Sequence, residues 1–232
     1  MCDGPVERLL ERIAARWKVA AVRTIGSRVA GSAERGILIG TTQPVSVRMT
    51  YAEYLAAEAA SDTRHEFLRG EVFAMAGGMP EHAALAAAVI QALGVALRGK
   101  PCRIFSSDLR VRVSATNLST YPDVTVVCGQ LDRAEDDEDA VVNPVLIVEV
   151  LSDATEGYDR GEKFAHYRRL PSLREYLLVS QKERRLELYR KNEDSHWVLF
   201  EAATGQTLDL LSLPEVSLAT DQIYEDPLSR DA

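Results

Sequence analysis

Glu149 sits inside Val145-Leu146-Ile147-Val148-Glu149-Val150-Leu151, and a carboxylate in so apolar a run needs a partner. Period-two alternation puts it on the same strand face as Ile147 and Leu151. An unpaired buried carboxylate costs several kcal/mol even after relaxation, so a cation, a basic side chain or a retained proton must offset it. A structural ion pair, or a strand end that reaches water, is the competing reading. Asp123 opens the preceding apolar stretch, directly after Tyr121-Pro122, where proline is tolerated because a strand's first residue owes no ladder donor. If these two strands are neighbours, Asp123 and Glu149 converge on one point. Paired oxygen donors suit a hard divalent cation, and magnesium commonly takes one or two carboxylates, with water and phosphate completing its shell. Asp159 and Lys163 come next, four residues apart on an expected helix; alone they read as a surface ion pair worth a few tenths of a kcal/mol.

The elements that must position these residues are legible in outline. Asp123–Cys128 and Val145–Leu151 read as central strands buried on both faces. Leu109, Val111 and Val113 alternate with Arg110 and Arg112, which predicts a half-exposed strand with a basic face. A helix over Asp159–Leu170 ends at Pro171, and strands Glu175–Val179, Arg185–Tyr189 and His196–Glu201 come after it. Upstream, Thr50 and Glu53 form a capping box, Arg69-Gly70 turns a hairpin, and Pro80 begins a helix with Leu85, Val89, Leu93 and Leu97 on one stripe. The fold class is therefore α/β in the mixed α+β sense, a central mixed sheet flanked by helices. Residues 1–48 read as an amphipathic helix (Val6–Trp17) and a glycine-rich linker, with the compact domain over residues 49–232. That early portion is read either as an added regulatory arm or as a misassigned start.

The ordered series resembles the Uma-type restriction endonucleases of the PD-(D/E)XK nuclease superfamily. Its pieces are Pro122-Asp123, the strand ending Glu149-Val150-Leu151-Ser152, Asp159 and Lys163 on a helix, and Glu175-Tyr176 opening a strand. The resemblance covers roughly Met49 to Tyr224 and implies a restriction-endonuclease-like fold. The superfamily pattern sets lysine two residues after the acid, where this chain has Leu151; the resemblance implies that Lys163 takes over from the next helix. It further implies magnesium (Mg2+, with Mn2+ as substitute) held by Asp123, Glu149 and the Val150 carbonyl, with Asp123, Glu149 and Lys163 as the catalytic set. Glu66 and His82 resemble the family's early glutamate and helix histidine and, with Asp159, are read as supporting residues.

Composition sets the bounds. The chain has 232 residues, 46% hydrophobic and 27% charged, which suits one sizeable globular core. Its net charge of −8 runs against the basic balance expected of a nucleic-acid binder. Much of that charge sits in the run Asp132–Asp139, expected as a solvated loop, while Arg110, Arg112 and Arg160 are the candidates for DNA contact. Cys2, Cys102 and Cys128 show no zinc or redox spacing, so Cys102 and Cys128 read as small apolar residues of a protein in a reducing compartment. No stretch approaches the ~20 apolar residues of a membrane helix. Glu7, Arg8, Glu11 and Arg12 interrupt any secretory signal, so cytoplasm is the expected location.

The leading expectation is a magnesium-dependent DNA endonuclease acting away from membranes. Cleavage of both strands commonly employs paired sites, which makes a homodimer compatible with it. Two other classes stay open from residues alone: a catalytically silent binding module on the same fold, and a structural protein whose buried carboxylates are ion-paired.

Overall fold

The computed structural model describes residues 48–75 and 79–225, and the chain divides into two compact units after Ala74. The expected helix Val6–Trp17 and its glycine-rich join lie outside the described residues. In the first unit, Thr50 caps helix α1 (Tyr51–Glu58). Its hydroxyl accepts from the Glu53 N–H, while the Glu53 carboxylate accepts from the Thr50 N–H at 2.8 Å. Strands β1 (His65–Leu68) and β2 (Glu71–Ala74) then form an antiparallel hairpin. Both turn residues, Arg69 and Gly70, have positive φ (51° and 95°), and a Cβ at Gly70 would fall 2.8 Å from the Arg48 Cβ. His65 is buried, with Nδ1 2.9 Å from Glu58 Oε2.

The second unit is built on a mixed sheet. Its strands are β3 (Cys102–Ser106), β6 (Val124–Cys128), β9 (Leu146–Leu151), β10 (Glu175–Ser180), β11 (Arg185–Lys191) and β12 (Trp197–Ala203). Their spatial order is β12-β11-β10-β9-β6-β3; β9 and β10 are parallel and the other neighbours antiparallel. Every residue of β9 and β10 is buried, as their apolar runs require.

Helix α2 (Pro80–Ala96) starts with proline, whose missing N–H is no loss in a first turn. Its Val89 and Leu93 pack with Val124, Val126, Leu146, Val148 and Val150 in one core. The ribbon of β13 (Thr207–Leu210) and β14 (Val216–Ala219), with α5 (Thr220–Ile223), contributes Leu208, Leu210, Leu218 and Ile223 to it. The even-numbered residues of β9 thus face this core, and Ile147, Glu149 and Leu151 project to the other face. Between β9 and β10 the chain forms α3 (Glu156–Tyr158), a π-helical turn (Asp159–Lys163) and α4 (Phe164–Tyr167). The sequence predicts one plain helix from Asp159; the observed helical segment starts three residues earlier and widens in the middle.

A second set of strands in this unit orders β5 (Leu118–Thr120), β4 (Arg110–Val113), β8 (Asp137–Val141) and β7 (Arg133–Ala134). Here two expectations are corrected. All four residues of β4 are buried, so its arginines form no open basic face. Arg110 grips Asp137 with two bonds of 2.8 Å and donates to the Tyr121 hydroxyl at 3.0 Å. Arg112 donates to Asp136 and Asn117 at 2.9 Å and to the Leu118 carbonyl. The acidic run expected as a loop is the β7–β8 hairpin that supplies these carboxylates. A guanidinium enters a core only when paired and hydrogen-bonded, so Arg110 and Arg112 serve the fold where DNA contact was expected of them.

The cysteines bring a further correction. Cys102 and Cys128 are register partners on β3 and β6 and form a disulfide. Spacing alone hides this, because strands separated by a long connection reveal their pairing only in space. The cysteine count consequently no longer argues for a reducing compartment. Among the described residues no helix is long and apolar enough to cross a membrane.

Candidate active site

The two acidic residues meet because β6 and β9 are antiparallel neighbours. Their register pairs Val124 with Val148, and one step further sets Asp123 against Glu149. Asp123 lies just outside β6, where its Oδ2 accepts from the Val150 N–H at 2.7 Å. That bond ties its carboxylate to the strand that carries Glu149. Tyr121, two residues earlier, is held through its hydroxyl by Arg110, so the buried Arg110–Asp137 pair steadies the approach to Asp123.

The helical segment covers Glu149 from the other side. Lys163 Nζ lies 3.0 Å from Glu149 Oε1 and 3.7 Å from Asp159 Oδ1. Tyr167, four residues on, donates its hydroxyl to the same Glu149 Oε1 at 2.7 Å. Lys163 and Tyr167 thus both address Glu149, while Asp159 meets Lys163 from the start of the π-helical turn. A π turn holds an extra residue, which rotates the helix on its C-terminal side relative to the helix on its N-terminal side. Asp159 and Lys163 both end up buried. Tyr176 on β10 fastens this turn by donating to the Asp159 carbonyl at 3.0 Å. Phe164 stacks on Tyr176 at 4.9 Å and meets Trp197 edge-on, walling the segment against the sheet.

His82 reaches the cluster from the first turn of α2, with Nε2 3.2 Å from Asp123 Oδ2. Its pKa is raised, first by the hydrogen bond to Asp123 and then, against the opposing effect of burial, by the Asp123 charge and a bond to the Val150 backbone. Glu149 is raised well above the ordinary carboxyl range. Burial is the main cause; the Lys163 charge opposes it, and the Asp123 and Asp159 charges reinforce it. Glu149 and Lys163 side chains are 4% and 8% exposed, against 14% for Asp123 and 21% for His82. Asp123 and His82 thus form the more exposed side of the cluster, and Glu149 and Lys163 the buried side.

Three carboxylates, Asp123, Glu149 and Asp159, share this small volume with one ammonium and a histidine. The donor set suits a hard cation. It offers oxygen ligands and an excess of negative charge that a divalent ion would offset. Among the described residues no three His, Cys, Asp or Glu form a ready-made metal cage. An ion held here would rely on two carboxylates and the Val150 carbonyl, with water filling the rest of its shell, as magnesium commonly does.

The sequence of residues 51–221 matches the model of a family called Uma2, described as "putative restriction endonuclease". The chain belongs to the Uma2 family. Two uncharacterized Synechocystis proteins are similar to it. One, slr1290, is 37% identical over 76% of this chain and 92% of its own length. The other, sll1609, is 37% identical over 66% of this chain and 86% of its own. Among solved structures, a putative nuclease of the DUF820 group from Anabaena variabilis superposes with a TM-score of 0.57 at 16% identity, covering 71% of this chain and 91% of that one. The likeness establishes the restriction-endonuclease-like fold for a mixed α/β chain. Membership in Uma2 gives the chain its class, nuclease.

Of the residues singled out in the sequence, the structure brings Asp123, Glu149, Val150, Lys163, Asp159 and His82 together. Glu66 lies on β1 in the first unit, paired across the hairpin with Phe73. Arg160 shares the π turn but is bound by two carboxylates, Glu156 at 3.0 Å and Glu187, so its charge is spent inside the protein. Asp108, just before β4, accepts from the Ser106 hydroxyl at 3.0 Å in a turn. Tyr167 is the addition that sequence reasoning missed, while Tyr176 entered it only as a strand start. The signal for Tyr167 was present: 159, 163 and 167 repeat at four-residue spacing on one helical face.

Proposed function

We propose that this Uma2 chain is a magnesium-dependent endodeoxyribonuclease, hydrolysing phosphodiester bonds in DNA, with manganese as a substitute ion. The observation that carries the reading is Lys163, reaching from a separate helical segment to within 3.0 Å of Glu149 while Asp123 stands across the strand pair. Asp123, Glu149 and the Val150 carbonyl are the proposed ligands. When bound there, the ion would polarise the scissile phosphate and acidify water. Lys163 offsets negative charge that builds on the phosphate during attack, from a position fixed before substrate arrives. His82 steadies Asp123 from the α2 side, and Asp159 holds the lysine from its own helical segment. Glu66 keeps the supporting role that the family resemblance gives it. Action in the cytoplasm, with DNA as partner and the chain as a homodimer, belongs to the same proposal.

The test is nicking of supercoiled plasmid with and without magnesium. Asp123→Asn is expected to abolish metal-dependent cleavage. Lys163→Met keeps the stem and removes the charge, and should slow cleavage on the order of 100-fold, the usual loss for one preorganised electrostatic stabiliser. Wild-type cleavage by either variant would return the site to the structural ion-pair reading.

A further inference from the structure

The two donors on Glu149 both fall on one oxygen. Lys163 Nζ at 3.0 Å and the Tyr167 hydroxyl at 2.7 Å address Oε1. A carboxylate oxygen with two donors is a poor ligand, because its lone pairs are already engaged. The second oxygen, Oε2, is the one left to face a cation. Tyr167 itself cannot drift. Its side chain is fully buried, its ring lies edge-on to Tyr176 at 5.5 Å, and it belongs to the helical segment that Tyr176 fastens at the Asp159 carbonyl.

We infer that Tyr167 is a positioning residue of the metal centre: with Lys163 it pins Oε1 of Glu149, so that the carboxylate offers Oε2 alone and binds the cation through one oxygen. The inference rests on the proposed metal centre and assigns a part to a residue outside the catalytic set. Lys163 could hold Oε1 electrostatically from a range of angles. The tyrosine hydroxyl is directional, and it fixes the plane of the carboxylate. A group that orients a ligand in this way typically commands 10–100-fold in metal affinity.

The experiment is a titration of Mn2+ into the full chain, following the electron paramagnetic resonance signal of the free ion. Tyr167→Phe keeps the ring and its packing and removes one hydroxyl, a change whose typical stability cost is ~1 kcal/mol. It should weaken Mn2+ binding roughly tenfold, and cleavage should recover towards the wild-type rate at saturating Mn2+. Tyr224→Phe is the control for losing a half-buried, hydrogen-bonded hydroxyl. Tyr224 donates to the Ser180 and Arg185 carbonyls at 2.7 and 2.8 Å, so its loss should lower the melting temperature and leave Mn2+ affinity unchanged. A Tyr167→Phe protein that binds Mn2+ as tightly as wild type overturns the inference and leaves the metal centre standing. A wild-type chain that binds no Mn2+ overturns the proposed function and this inference together. Binding without cleavage removes the nuclease and keeps Tyr167 in its role.

Discussion

Glu149 is held in a state that favours its proton, and that has a measurable consequence. Its folded pKa is raised by burial and by two neighbouring carboxylates, with Lys163 offsetting only part of the effect. For a group raised in this direction, the proton-linked stability is complete below the unfolded value and is lost as pH rises through the folded one. The metal-free protein should therefore lose stability as pH rises above the ordinary carboxyl range, and Glu149→Gln, which has no proton to lose, should not suffer this term. In chelator, the glutamine variant is expected to melt above the wild type at the alkaline end, the gap closing towards acid. Each tenfold rise in Glu149 proton affinity corresponds to about 3 °C of that gap. Thermal melts across the pH series test it, and a glutamine variant that melts lower at every pH would mean the carboxylate is satisfied by Lys163 and Tyr167 alone. The same residue shows what sequence could reach. A lone acid in an apolar strand announces itself, whereas Tyr167 is one more aromatic on a helix until the strand beneath it is known.

The deciding element is the helical segment with its π turn. Asp159-Arg160-Gly161-Glu162-Lys163 carries one residue more than an α turn would hold between its fixed ends. Removing Gly161 is expected to restore α geometry and swing the segment by about 100° on one side of the deletion. Either Asp159 or Lys163 then leaves the site. Cleavage should fall at least about 100-fold while the protein still melts cooperatively. Gly161→Ala is the companion variant. A Cβ there meets open space, so alanine should keep cleavage and add up to about 1 kcal/mol of stability. Full activity in the deletion variant would show that lysine reaches Glu149 without the wide turn. The element scale is also where sequence reading divided most sharply. β6 and β9 were legible because short, continuous, β-branched apolar runs suit central strands buried on both faces, and α1 because its capping box is local. β4 was misread because Arg-Val-Arg-Val has the period of a half-exposed strand. The carboxylates that let both arginines go inside lie 24 and 27 residues further along the chain, in a run that looked like a loop.

At the scale of the molecule, four arginines of the sheets and the helical segment are committed before DNA arrives. Arg110 is bound to Asp137, Arg112 to Asp136, Arg160 to Glu187 and Arg190 to the fully buried Glu175, in a chain of net charge −8. A groove that neutralises many phosphates gives an affinity falling by about 0.9 log units per contact for each tenfold rise in salt. With these four guanidiniums spent internally, phosphate contacts near the helical segment fall to the exposed Arg168, Arg169 and Arg174, and the bound cation becomes the main attraction for the scissile phosphate. Binding of a labelled duplex, read by fluorescence anisotropy, is therefore expected to be weak in chelator. Calcium, a hard oxygen-seeking ion, should tighten it at least about tenfold, and the salt slope should correspond to no more than about three phosphates. The alternative is equally concrete. Tight binding in chelator with a slope of six or more phosphates, ~0.9 each, would place a basic surface elsewhere on the chain. The acidic balance would then be a property of the scaffold alone, and the cation would serve cleavage without serving recognition.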